Sequence, residues 1–399
     1  MRRILAHSLA LLLATVAIAE ADVAVAVKNG QLVVKSNDAE SILTLDGTGL
    51  PLGSVRATPG GGFTVNGSMA PQVFTGLTDA GAKITLGKGS DVLNIENLVL
   101  QGPVAIKTGD GGDVLSIQAS TLTSTTKIDV GGGLNLLRVC RADVLGDLTV
   151  KLGKGAPGVG FAECEGQFGI TATDGSGVLF WNVLFAATVT VKGAAAPHVV
   201  SMHTFEGLTG VTLKNVRFAR LCYGDVIAGP VVLKLANLDG PAGVIECDGG
   251  TPTGFAEGST AALITDVDLA GVTAKLGKGG DMLAIFGAMV SGDVTVNFGG
   301  GTPNALVFQS VTITGDLVGK AGKGNDDVIA NDFLVNGDAT LKLGDGGNAV
   351  AFTVTRFDRD LTIKTGKGDD FADLGGAEVD GESKIDLGKG ANMLTPPLP

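Results

Sequence analysis

Aromatic side chains are nearly missing from this 399-residue chain, which has one tryptophan, Trp181, and one tyrosine, Tyr223. Sugar clefts normally recruit such rings as platforms, so the composition argues against a conventional carbohydrate-cleaving groove. Positive charge is also short. Twenty-nine Lys and Arg stand against 41 Asp and Glu, a net charge of −12 that disfavours nucleic acid and anionic membranes as partners. No segment has helical periodicity, and beyond residue 21 no apolar run is long enough to cross a membrane. The four cysteines (Cys140, Cys164, Cys222, Cys247) lack metal-type spacing and are expected to be buried thiols more than bridges, because small apolar side chains suit a narrow core.

What the chain has in excess is glycine, 63 residues, which implies many tight turns. It opens with Arg2 and Arg3, an apolar run over residues 4–18, and Ala19-Glu20-Ala21. That order is expected of a secretory signal cut before Asp22, with a cut after Ala19 as the second choice. Losing two arginines and one glutamate takes the mature charge from −12 to −13. The mature protein is then exported: periplasmic, cell-surface or extracellular, with no membrane span.

A Gly-x-Gly turn recurs at Gly87, Gly109, Gly131, Gly153 and Gly175, and again at Gly277, Gly299, Gly322, Gly344, Gly366 and Gly388. The step is 22 residues throughout, except for one of 23 where Gly-Thr-Pro-Asn carries an insertion. Alternating segments such as Val150-Lys-Leu152 and Leu341-Lys-Leu343 precede the turns, and apolar pairs such as Leu93/Ile95 and Leu283/Ile285 follow them. Period-two alternation with β-branched residues marks strands with one buried face. A coil this small cannot bury its own apolar residues, so coils must stack about 4.8 Å apart and share hydrogen bonds. The expected fold is all-β: a single-chain parallel β-solenoid of 22-residue coils, its handedness and number of sheets left open. Residues 22–81 are assigned to a cap and first irregular coils, 82–188 to regular coils, 189–271 to irregular ones, and 272–399 to regular coils and a Pro-rich end.

The turns carry the candidate chemistry. Leu86-Gly-Lys-Gly-Ser-Asp-Val-Leu-Asn94 and residues 276–284 each fit four of the five specified positions of the nonapeptide G-G-x-G-x-D-x-U-x. In this the chain resembles the haemolysin-type calcium-binding repeat family, an extracellular class with parallel β-roll folds. It looks equally like the right-handed parallel β-helices of adhesins and polysaccharide lyases. The first resemblance implies calcium held by Asp91, Asp113, Asp281, Asp326 and Asp370. It covers the turns only, with one turn per 22 residues where the family has two in 18.

Two readings of these aspartates stay open. Calcium wants six to eight oxygens with charge from carboxylates. The column instead alternates (Asp91, Asp113, Asn135, Pro157; then Asp281, Asn304, Asp326, Asn348, Asp370, Asn392), as do Lys323, Asp345 and Lys367 between the glycines. A self-neutralised turn, with Asx side chains bonding the backbone, needs no metal. At the other corner Asp293, Asp316, Asp338, Asp360 and Glu382 stack without alternation, either as a solvated acidic edge or as a weak divalent-cation edge.

The functional expectation is a non-catalytic structural or adhesion protein, with extracellular polysaccharide or a surface protein as partner. The alternative is a β-helix lyase or hydrolase, for which Arg217, Arg220, Asp225, His198 and His203 are the available groups; each histidine reads more naturally as a turn or surface residue. A third reading is ice or crystal binding through the ranks Thr149, Thr171, Thr190, Thr212 and Thr273, Thr295, Thr340, Thr362. The rank beside them is occupied by Lys151, Lys214, Lys275, Lys342 and Lys364, which argues against it.

Overall fold

The computed structural model describes residues 22–36, 40–156, 159–164, 168–173, 175–194, 198–216, 218–224, 227–235, 260–277, 279–301 and 303–396. The proposed signal segment, Arg217, Asp225 and Cys247 lie outside the described residues. The chain is a parallel β-solenoid of about 12 turns, with no helix among the described residues. Among the described residues one sheet holds sixteen strands and another twenty, facing each other across a continuous apolar core.

Register is what builds that core. Ile84, Ile106, Ile128 and Val150 align coil on coil in the first sheet, and Leu93, Leu115 and Leu137 do so in the second. All are buried, and each contributes about 1.5–3 kcal/mol by leaving water. The glycine turns pile along one edge. A Cβ on Gly109 would fall inside the carbonyl of Gly87, and one on Gly131 inside that of Gly109. At Gly109 and Gly131 φ is also positive, 92° and 63°. Only glycine fits both the stacking distance and the turn.

A second column was not expected. Asn97, Ala119, Arg141, Asn182, Thr204, Tyr223, Asp266, Ser310, Asp332 and Val354 all take φ between 46° and 53°. From Asn97 to Val354 this left-handed residue bends the second sheet's course, as between Val92–Glu96 and Val99–Leu100. Each of these coils therefore has three sides, although its backbone hydrogen bonds form two sheets. At the N-terminal end pairing is antiparallel: Asp22–Lys28 with Gln31–Ser36, and Ser54–Pro59 with both Ile42–Asp46 and Gln72–Thr75.

Three expectations are corrected. Leu148 pairs with Val189 and Leu136 with Gly177, so the fourth coil is 41 residues long and Gly175 does not stack on Gly153. An antiparallel hairpin, Val159–Cys164 with Phe168–Thr173, is inserted in that turn and happens to restore a 22-residue step. For the same reason Ser176, not Pro157, stands in the aspartate column, and Thr171 belongs to the hairpin and not to the Thr rank. Third, the three described cysteines are not thiols: Cys140 bonds Cys164 of the hairpin, and Cys222 is disulfide-bonded too.

Candidate functional site

Aspartates 91, 113, 281, 326 and 370 all sit at the corner where the glycine turn enters the second sheet. Strand alternation directs them inward, and none is more than 2% exposed. They belong to a single ladder in which a side-chain acceptor takes the backbone N–H of its counterpart one coil earlier. Asp91 N–H donates to Asp113 Oδ1 at 2.9 Å and Asp113 N–H to Asn135 Oδ1 at 2.9 Å. Asp281 N–H donates to Asn304 Oδ1 at 3.0 Å, Asp326 N–H to Asn348 Oδ1 at 3.2 Å, and Asp370 N–H to Asn392 Oδ1 at 2.9 Å. In the interrupted coils Ser176 N–H donates to His198 Nδ1 at 3.1 Å. His198 is thus a buried turn residue doing the work of an Asx side chain.

Asparagine and aspartate differ here by one atom with large consequences. Asparagine Nδ2 donates to turn carbonyls: Asn135 to Gly131 O at 3.3 Å, Asn304 to Gly301 O at 2.9 Å, Asn348 to Gly344 O at 3.1 Å. Asparagine also neutralises its neighbours, as when Asn348 Nδ2 donates to Asp370 Oδ1 at 2.9 Å. The aspartate atom that corresponds to Nδ2 is an oxygen, which cannot donate when ionised. Accordingly Oδ2 of Asp91, Asp113, Asp326 and Asp370 is buried without a hydrogen-bond partner. Burial raises the Asp113 and Asp326 carboxyls to about 6, and Asp91 is raised by the same cause. Each ionised Oδ2 calls for a proton or a cation.

The donor set fits calcium in kind, since it offers hard carboxylate and carbonyl oxygens. It is lean in number. Among the described residues no three His, Cys, Asp or Glu side chains gather around one point. Asp91 and Asp113, on successive coils with no asparagine between them, are the densest pair.

Of the enzyme candidates among the described residues, His198 lies apart from His203 and Arg220. His198 faces the interior of a turn, and burial lowers its pKa to about 4. His203 and Arg220 lie on the opposite, outward face of the second sheet, both largely buried. There Arg220 Nε donates to Ser201 Oγ at 2.9 Å, and the His203 ring packs edge-on to Tyr223 at 5.0 Å. Sequence reasoning missed this covered outer face. Its signal was the pair of buried-type residues at outward positions, Cys140 and Cys222. At the acidic corner, Asp316 N–H donates to Asp293 Oδ1 and Asp338 N–H to Asp316 Oδ1, both at 2.9 Å. Those carboxylates cap the next coil while facing solvent. Comparison with family models, curated proteins and solved structures found no match to this chain.

Proposed function

We propose that the chain is a non-catalytic, exported structural or adhesion-type solenoid whose stacked turns take up calcium. The observation that carries the calcium reading is the partnerless, buried Oδ2 of Asp91, Asp113, Asp326 and Asp370. Their asparagine counterparts satisfy the same place with a donor, so an ionised aspartate there needs positive charge beside it. Calcium would supply that charge and draw on the carboxylates and turn carbonyls together. A proton serves the same oxygen in acid, which is the competing reading.

Thermal unfolding of the full chain at pH 7.5, with millimolar calcium and with chelator, decides between them. Calcium binding raises Tm by several degrees, and Asp113→Asn abolishes most of that rise. No calcium effect at pH 7.5, with Tm climbing on acidification, leaves the turns to protons alone.

A further inference from the structure

The protein is acidic as a whole, yet its lysines are not spread evenly. Lys151, Lys192, Lys214, Lys234 and Lys275 are in register on five consecutive coils of the first sheet, with Lys151, Lys192, Lys214 and Lys275 on its outward face. A second run, Lys320, Lys342 and Lys364, follows on the same column after Asn297. Neighbouring coils are about 4.8 Å apart, and like charges at that spacing repel by about 1 kcal/mol in water. On the turn, by contrast, Lys323 is followed one coil on by Asp345.

The two runs differ in what flanks them. Four residues before Lys320, Lys342 and Lys364 stand Asp316, Asp338 and Asp360, on the same face and about 13 Å away along an extended strand. Four residues before Lys192, Lys214, Lys234 and Lys275 stand Thr188, Gly210, Pro230 and Gly271. The acidic column is interrupted where the lysine run is longest. None of the described ion pairs involves Lys192, Lys214 or Lys275, and Lys192 and Lys275 are exposed. Beside the stripe, two residues earlier in each strand, run Thr190, Thr212 and Thr273, with Val232 between.

We infer that this face docks a linear acidic polysaccharide, lying along the solenoid with its carboxylates on Lys192, Lys214 and Lys275. Cations repeated over about 14 Å of one face match a polymer with repeating anions. The adjoining threonine hydroxyls suit sugar hydroxyls. A single-stranded nucleic acid is the weaker match, because bases need aromatic or guanidinium surfaces to stack on and this rank offers threonine. The inference rests on the scaffold reading above and names its partner.

The test is binding of the full chain to immobilised polygalacturonate, with neutral dextran and single-stranded DNA as comparison probes. Binding to polygalacturonate and not to dextran is expected, falling steeply between low and physiological salt. Replacing Lys192→Gln, Lys214→Gln and Lys275→Gln together weakens it at least tenfold. The matched triple Lys320→Gln, Lys342→Gln and Lys364→Gln, with the same change in net charge, costs less than threefold. Equal losses in the two triples, no binding, or tighter binding to the DNA overturn the inference. Each variant is first matched to the parent in Tm, and glutamine in place of lysines on the outward face leaves the core untouched. Polymer length is followed in parallel: shortening of the polygalacturonate sinks the scaffold reading itself, whereas absence of binding without cleavage sinks only the docking.

Discussion

The coils from Leu317 onward and those between Leu148 and Val272 solve the same stacking problem with different amounts of chain. In the first set each strand pairs with one exactly 22 residues later, as Leu317 with Ala339 and Ala339 with Leu361. In the second the step is 41 from Leu148 to Val189, 19 from Val199 to Phe218 and 41 again from Val231 to Val272. Nevertheless inward columns run through the interrupted coils; Val150, Val191, Leu213 and Leu233 remain aligned and buried, and the register shifts only past them, between Lys214 and Val216. Repeat length is therefore a consequence of economy. The fold is held by columns of inward apolar residues and by side-chain acceptors reaching the next coil, and extra chain is extruded at a turn where no column is broken.

The glycine turn is where the two regions differ most in tolerance. In the regular coils Gly131 leaves no room for a Cβ against the Gly109 carbonyl. In the interrupted coils the equivalent place, opposite Gly153, is Ala194, whose N–H donates to Leu152 O at 2.8 Å. Gly131→Ala is expected to cost about 4 kcal/mol or more, through backbone collision and positive φ together. That corresponds to a fall in Tm on the order of 10 °C. Gly300→Ala, where an added Cβ meets nothing within 4 Å, serves as the control and leaves Tm within about a degree. If Gly131→Ala is as mild as Gly300→Ala, the turns do not stack as closely as argued.

The ladder column separates the regions by the sign of their pH response. Burial raises Asp113 to about 6, well above its unfolded value, so its contribution is complete in acid and is lost as pH rises through about 6. Burial lowers His198 to about 4, so its contribution is complete above the unfolded histidine pKa and is lost as pH falls toward 4. With chelator present, Asp113→Asn should raise Tm at pH 7.5 and leave it nearly unchanged at pH 4.5. His198→Asn, which keeps a ladder acceptor, should do the reverse, gaining at pH 4.5. Each effect is on the order of 1–3 kcal/mol. Parallel pH profiles for the two variants would show that the column is not a set of independent buried sites.

How far the sequence disclosed this follows from the same contrast. The regular turns, their aspartates and the strand alternation were legible because identity recurs at fixed spacing and every recurrence has one physical cause. The step from Gly153 to Gly175 misled because the Val159–Cys164 hairpin brings its own chain length, and a period counts residues without knowing which are extruded. The Cys140–Cys164 bridge was illegible for the same reason: its second cysteine lies on extruded chain, outside any coil position. The lysine rank was visible, but the loss of its acidic flank between Lys192 and Lys275 depends on the true pairing of strands.

The left-handed bend was hidden for a different reason, and it yields the smallest expected effect. Its column holds Asn, Ala, Arg, Thr, Tyr, Asp, Gly, Ser and Val, because one residue's conformation, not its side chain, is what the coil requires there. Most of these pay for the left-handed region, and Asn97 and Asn182 least. Val354 is the costliest choice, a β-branched residue at φ 50° with its side chain 69% exposed and little packing to compensate. Val354→Asn should therefore stabilise the protein by about 1 kcal/mol, a rise in Tm of about 2–4 °C. Asn182→Val, the reciprocal change in an interrupted coil, should lose a similar amount. A Val354→Asn variant no more stable than the parent would mean that the bend relaxes in solution and that the third side of the coil is softer than the other two.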